Sequence, residues 1–171
     1  MLSSHRTAED ALAAVPDEKP AIVLIDLELP GGSALKCVRQ LKAVLPQTEF
    51  VIVLDHYDSE HIFNALLAGA TGYLLKRTSP AEFLALLQHI HAGGSPINDE
   101  LAKGILHFFH HQSSRPVQAA VELSPREKRL LQLLSGGSSY NEVADNLRIS
   151  LPMVSTYVRS IYEKLHLGAA H

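Results

Sequence analysis

The C-terminal third of the chain carries a succession of helix-start signals that few folds can accommodate. Ser124 precedes Pro125, and Glu127 stands three positions after the serine, a spacing that predicts a capped helix start. A second helix is predicted over residues 140–147, and Ser150 caps a third helix after a short turn. Two helices joined by so tight a turn predict a helix-turn-helix, an all-α unit whose second helix can lie in the major groove of DNA.

The helix after Ser150 has one apolar stripe and one polar face. The buried stripe is predicted from apolar residues at spacings of four, three and four: Val154, Val158, Ile161 and Leu165. The opposite face presents polar side chains: Ser155, Thr156, Arg159 and Ser160. An arginine in this position can contact guanine through two hydrogen bonds or clamp a phosphate. The face is therefore predicted to bind DNA, the alternative being a helix face that meets only solvent.

The first two thirds of the chain alternate apolar runs with helical patterns. Three apolar runs predict the strands of a parallel sheet that is buried on both sides: residues 21–26, 50–54 and 71–76. Helices are predicted around these runs: residues 7–15, 33–44, 59–68, 79–93 and 98–111. Repeated strand–helix units predict an open, doubly wound α/β sheet.

These patterns divide the chain into two domains. An α/β domain is predicted over residues 1–111 and the all-α helix-turn-helix domain over residues 121–171, with a short polar linker over 112–120 between them. Residues 1–111 hold 8 Lys and Arg against 13 Asp and Glu, whereas residues 121–171 hold 6 against 5. Only the second domain is therefore suited to a polyanion such as DNA.

Composition excludes several classes of protein. The single cysteine, Cys37, excludes an internal disulfide framework and indicates a reducing compartment. No apolar run approaches the roughly 20 residues that span a bilayer, and the N-terminus lacks a signal-peptide core. The sequence contains no nucleotide loop, nucleophile set or Cys/His metal motif. We therefore expect a cytoplasmic protein that does not bind membranes and is not an enzyme.

Two segments resemble the receiver domain of two-component response regulators. They are VLIDLELPGG at residues 23–32 and GATGYLLK at residues 69–76. Together with the C-terminal pattern, the chain resembles the NarL/FixJ (LuxR-type) family over nearly its whole length. The resemblance implies a flavodoxin-like receiver followed by a DNA-binding domain, in a transcriptional regulator. It implies double-stranded DNA, a histidine kinase, and a second copy or a related regulator as partners.

The resemblance assigns roles in the receiver. Asp26 matches the aspartate that accepts a phosphoryl group, a carboxylate nucleophile that needs a metal to offset the incoming charge. Lys76 matches the lysine that pairs with the phosphoryl oxygens, and Tyr73 matches the aromatic residue whose orientation follows activation. Asp26 and the backbone carbonyl of Glu28 match ligands of Mg²⁺.

The same comparison predicts departures from the family pattern. Family receivers place Ser or Thr 28 residues after the phospho-acceptor, where this chain has Leu54, followed by Asp55. The chain starts at about the second strand of such a receiver, so the first strand and its acidic pair, which holds most of the Mg²⁺, are expected to be missing. We favour an Asp26–Lys76 ion pair over working phosphotransfer, and expect impaired or absent phosphorylation control. The chain is either part of a longer protein or a degenerate receiver.

For the DNA-binding domain, the resemblance implies base contacts from Ser155, Thr156 and Arg159. It implies contacts with the DNA backbone from four further residues: Tyr157, Arg126, Arg148 and Lys164. Family members continue into a fourth helix that supplies dimer contacts, which is expected to be missing here, so weak binding is predicted. The alternative function is an interaction protein that no longer binds DNA and antagonises related regulators by pairing with them.

Overall fold

The computed structural model describes residues 2–30, 33–92, 97–113 and 121–169. The chain divides into two compact units, Met1–His91 and Ala92–His171. The Gly-Gly pairs at 31–32 and 93–94, where chain breaks were predicted, lie outside the described residues. The same holds for residues 114–120 of the predicted linker.

The first unit alternates helices and strands. In chain order they are α1 (Ala8–Glu18), β1 (Ile22–Asp26), α2 (Ala34–Val44), β2 (Glu49–Leu54), α3 (Ser59–Ala68), β3 (Gly72–Leu75) and α4 (Pro80–His91). The strands form a parallel sheet in the order β1-β2-β3. The predicted α/β fold class is confirmed, and each predicted element is present with ends that shift by a few residues.

Local signals explain where these helices begin and end. The Thr7 hydroxyl caps α1 by accepting the Asp10 N–H, and the Ser33 hydroxyl caps α2 by accepting the Lys36 N–H. Gly69 ends α3 in the left-handed region at φ 119°, where a residue with a Cβ would be strained. These contacts lie within a few residues in sequence, which is why the bounds of the helices could be predicted closely from the sequence alone.

Both faces of the sheet are covered by apolar side chains. On one face Val51 and Leu74 pack with Ile90 of α4. Phe50 and Ile52 alternate with Val51, point to the opposite face and are fully buried. Cys37 of α2 is buried, and burial raises the pKa of its thiol. The buried sheet fixes the carboxyl ends of the strands side by side, Asp26 beside Val53 and Leu54 beside Leu75.

The second unit is all helical where it is described. Its helices are α5 (Asp99–Ser113), α6 (Pro125–Ser135), α7 (Tyr140–Leu147) and α8 (Leu151–Ala169). The helix α5 packs against α6 and belongs to this unit, whereas the sequence placed it in the α/β domain. Its last residues, 112 and 113, are helical rather than part of the linker. The Tyr140 hydroxyl also accepts the Ile97 N–H at 3.0 Å, so the start of α5 is tied to α7.

The helix-turn-helix is formed by α7 and α8. The predicted stripe of α8 is completely buried: Val154, Val158, Ile161 and Leu165 each have 0% exposure. Arg148 ends α7 in the left-handed region at φ 57° and makes the turn. Among the described residues, no helix combines the length and apolar character that crossing a membrane requires.

Candidate functional site

Three charged residues meet at the carboxyl end of the sheet. Asp26 ends β1, Asp55 follows β2 and Lys76 follows β3, so the parallel strands deliver all three to one edge. The Lys76 Nζ lies 2.9 Å from Asp26 Oδ2 and 3.3 Å from Asp55 Oδ1. The predicted Asp26–Lys76 pair is therefore present, and Asp55 joins it as a second carboxylate.

The surroundings of Asp26 and Lys76 hold both side chains in their charged forms. Burial alone would raise the pKa of Asp26, but the hydrogen bond from Lys76 and the backbone N–H of Glu28 together lower it below 3.8. The Glu28 N–H donates to Asp26 Oδ1 at 2.9 Å. The hydrogen bond to Asp26 also raises the pKa of Lys76, with a further contribution from Asp55. Near neutral pH the Asp26 side chain is therefore a carboxylate and the Lys76 side chain an ammonium.

The position expected to hold a hydroxyl carries a buried alkyl group. Leu54 is 4% exposed, and its carbonyl accepts the Lys76 N–H at 2.8 Å. The next polar group along this loop is the Asp55 carboxylate, which is committed to Lys76. The cation that Asp55 contacts is thus a lysine of the protein itself.

The chain's own residues do not fit a Mg²⁺ site. Within the described ranges, no group of three or more His, Cys, Asp or Glu side chains is arranged to hold a metal ion. The Lys76 ammonium lies between Asp26 and Asp55, where a cation bridging both carboxylates would lie. Glu28 meets Asp26 through its N–H. A metal ion that bridged the two carboxylates would have to displace the Lys76 ammonium.

An aromatic pair lies on β3 and the loop after β2. Tyr73 is half-buried and packs edge-on against Tyr57, with ring centroids 5.9 Å apart. Burial, with Tyr57 as a smaller cause, raises the pKa of Tyr73. Tyr57 shares its loop with Asp55, so the loop that holds the second carboxylate also holds the partner of the predicted switch aromatic. No sequence pattern predicted this aromatic pair.

In the second unit, the predicted DNA-reading residues share one side of α8. The Ser150 hydroxyl caps this helix by accepting the Met153 N–H at 3.3 Å. Thr156 and Arg159 are exposed and Ser155 is half-buried. The Thr156 hydroxyl donates to the Pro152 carbonyl at 3.0 Å. The helix thus presents an exposed guanidinium beside a threonine whose hydroxyl hydrogen is already donated.

The predicted backbone-contact residues have different environments. Arg126 on α6 and Arg148 in the turn are exposed, and Tyr157 on α8 is half-buried. Lys164, by contrast, donates to Glu127 Oε2 at 2.8 Å. Its ammonium is therefore engaged by a carboxylate within the protein, unlike the exposed guanidinium groups of Arg126 and Arg148.

Glu127 joins α6 to α8, a role that sequence reasoning missed. It is 3% exposed and completes the predicted capping box by accepting the Ser124 N–H at 2.8 Å. Its other oxygen accepts the Ser160 hydroxyl at 2.8 Å. One buried carboxylate thus caps α6 and binds two residues of α8, Ser160 and Lys164, which sets how α8 lies against α6.

Each of the two units contains a segment that matches the model of a known protein family. The family model for the response regulator receiver domain matches residues 1–88, and that for bacterial regulatory proteins of the luxR family matches residues 121–169. The chain belongs to the LuxR family of response regulators. The predicted resemblance, the fold class and the pairing of a receiver with a helix-turn-helix domain are thereby confirmed.

Similar proteins are transcriptional regulators by name. The transcriptional activator protein ExaE of Pseudomonas putida is 31% identical, over 95% of this chain and 76% of its own length. The transcriptional regulatory protein YhcZ of Bacillus subtilis is 30% identical, over 95% of this chain and 75% of its own length. A two-component response regulator of the LuxR family from Aurantimonas has a TM-score of 0.54 and 27% identity, with 62% of this chain and 79% of that one covered. This chain is a DNA-binding transcriptional regulator of the response-regulator type.

Proposed function

We propose that this LuxR-family regulator binds double-stranded DNA without phosphorylation of Asp26. The single observation that carries the proposal is the ion cluster in which Lys76 contacts Asp26 at 2.9 Å and Asp55 at 3.3 Å. The lysine that would pair with a phosphoryl group on Asp26 already contacts two carboxylates, and a buried leucine stands where a hydroxyl would bind that group.

Charge supports this proposal. A phosphoryl group on Asp26 would add negative charge beside the Asp55 carboxylate, and like charges in close contact repel each other. The phosphoryl oxygens would compete with Asp55 for the Lys76 ammonium, which already contacts two carboxylate oxygens. In the unmodified chain Lys76 already contacts the Asp26 carboxylate. Phosphorylation would therefore change the charge balance around Lys76 less than it would at a lysine without such a contact.

Treatment with a small phosphoryl donor, phosphoramidate with Mg²⁺, tests the receiver. We expect the intact mass of the full chain to stay unchanged, because the cluster offers no hydroxyl and no unshared cation to the incoming group. Mass spectrometry of the intact chain after a time course is the measurement.

The matched control is the Asp26→Asn variant under the same conditions. An adduct of one phosphoryl group on the parent chain that is lost in Asp26→Asn would contradict the proposal. An adduct of equal extent on both would arise from another residue, and would leave Asp26 unmodified as proposed.

On the DNA side, the proposed base contacts come from Ser155, Thr156 and Arg159, because the N-terminal half of the second helix of such a motif enters the major groove. The proposed backbone contacts come from Arg126, Arg148 and Tyr157, which bring positive charge or a phenol hydroxyl to the same domain. We infer that the chain acts by binding rather than by catalysis. A cytoplasmic location, a histidine kinase and a second copy of the chain as partners stay predictions.

The second candidate is the antagonist that pairs with related regulators. Leu24 favours it, because this leucine is 42% exposed on β1, which is one of the two outer strands of the described sheet. Unpaired outer strands with exposed apolar residues invite pairing with another chain. A mobility-shift titration separates the two functions: salt-sensitive DNA binding by the chain alone supports the regulator, and no binding supports the antagonist.

A further inference from the structure

The first turn of α8 presents apolar side chains at the protein surface. Leu151 is 46% exposed and Met153 is 42% exposed, and both belong to the small set of exposed large hydrophobic residues among those described. Pro152 between them is also exposed. Three consecutive apolar residues therefore face outward in the first turn of the helix that the family uses to reach DNA.

Thr156 extends this apolar surface. It stands one turn after Pro152, on the same side of the helix, and its hydroxyl donates to the Pro152 carbonyl at 3.0 Å. A threonine in a helix that bonds back to the carbonyl four residues earlier has its hydroxyl hydrogen engaged. Thr156 therefore cannot donate to a ligand at the surface, and it presents its methyl group there beside an oxygen that can only accept.

Arg159 limits the apolar surface on the other side. It follows Thr156 by three positions, so Pro152, Thr156 and Arg159 lie along one line of the helix surface. The reading face thus has an apolar beginning and a cationic end. We call Leu151, Pro152, Met153 and Thr156 the apolar patch.

We infer that the apolar patch reads thymine through its 5-methyl group in the major groove. Thymine is the base that presents an apolar group there, and side-chain methyl groups are its usual partners. The N-terminal residues of such a helix are also those that meet base edges. This inference rests on the proposed DNA-reading face and adds to it the class of base pair that the face recognises. A·T pairs would meet the start of the helix, and a guanine or a phosphate would meet Arg159.

The test uses DNA that differs only in the methyl groups. The probe is the tightest-binding duplex selected by the full chain from a random library, compared with the same duplex made with deoxyuridine in place of every thymine. We expect affinity to fall about fourfold for each contacted methyl group that is removed. Fluorescence anisotropy at one fixed salt concentration measures both affinities.

Two substitutions at one position separate the methyl group from the hydroxyl. Thr156→Ser keeps the hydroxyl and removes the methyl group, so it should bind the thymine duplex more weakly than the parent does. The loss of affinity on going from the thymine duplex to the deoxyuridine duplex should also be smaller for this variant than for the parent. Thr156→Val keeps a methyl group and removes the hydroxyl, so it should retain the parent's preference for thymine. Met153→Ala should also reduce that preference, whereas Val44→Ala, an exposed apolar residue of the first unit, should not.

Several outcomes would overturn the inference. Equal affinity of the parent chain for the two duplexes would do so, as would a larger loss of affinity with Thr156→Val than with Thr156→Ser. If Arg159→Ala weakens binding while the methyl groups have no effect, the proposed reading face stands and this inference fails. If the chain selects no duplex at all, both fail.

Discussion

Replacing Arg159 with alanine is expected to weaken DNA binding by about fivefold to 150-fold, the equivalent of about 1–3 kcal/mol for one bidentate contact with guanine. Arg159 is exposed on α8, in line with Thr156, and is the only arginine or lysine exposed on the described part of that helix. Few other cations can therefore compensate for its loss. Titration of a selected duplex by fluorescence anisotropy measures the change.

The matched control removes an exposed arginine from the other unit. Arg77→Ala lowers the net charge by the same amount, but Arg77 lies just after β3. If Arg77→Ala and Arg159→Ala weaken binding equally, the effect is one of overall charge, and α8 is not the reading helix. A loss confined to Arg159→Ala supports the proposed contact.

Replacing Glu127 with alanine is expected to destabilise the second unit by about 2–4 kcal/mol, because a buried ion pair loses one partner. The change leaves the Ser124 N–H, the Ser160 hydroxyl and the Lys164 ammonium without the carboxylate that each now contacts. Urea unfolding followed by far-ultraviolet circular dichroism gives the free energy of unfolding. Glu163→Ala, at an exposed position of α8, is the control and should change it little.

The same carboxylate makes the stability of the second unit depend on pH. Burial would raise the pKa of Glu127, but Lys164, the Ser124 N–H and Ser160 outweigh it and lower the pKa below 4.5. A carboxylate with a lowered pKa stabilises the folded state above its usual pKa, and this contribution is lost as pH falls through the lowered value. Glu127→Gln should therefore be less stable than the parent at neutral pH, and the difference should shrink in acid. A difference that is constant with pH would contradict the ionised pair.

Local patterns accounted for most of the fold. Helix α7 was predicted over the residues that it occupies, and the buried stripe of α8 was predicted residue by residue, because caps and apolar spacing depend on neighbours in sequence. The ends of the parallel strands also placed Asp26 and Lys76 at one edge. These features follow from the periods of helices and strands.

Contacts between distant segments were not predictable in the same way. Lys164 looked like a phosphate contact because nothing in its own helix shows that Glu127, on α6, lies against it. The contact between Asp55 and Lys76 was not predicted, because the distance between these residues depends on the pairing of β2 with β3. The apolar residues of α5 indicated burial but did not indicate which unit would bury them.

The central claim is that DNA binding does not depend on phosphorylation of Asp26. The most direct measurement is the affinity of the full chain for a selected duplex, with and without phosphoramidate and Mg²⁺, for the parent and for Asp26→Asn. Equal affinities in all four conditions are expected, because we propose that Lys76, in contact with both Asp26 and Asp55, disfavours a phosphoryl group on Asp26. A rise in affinity on treatment of the parent that is absent in Asp26→Asn would contradict the claim.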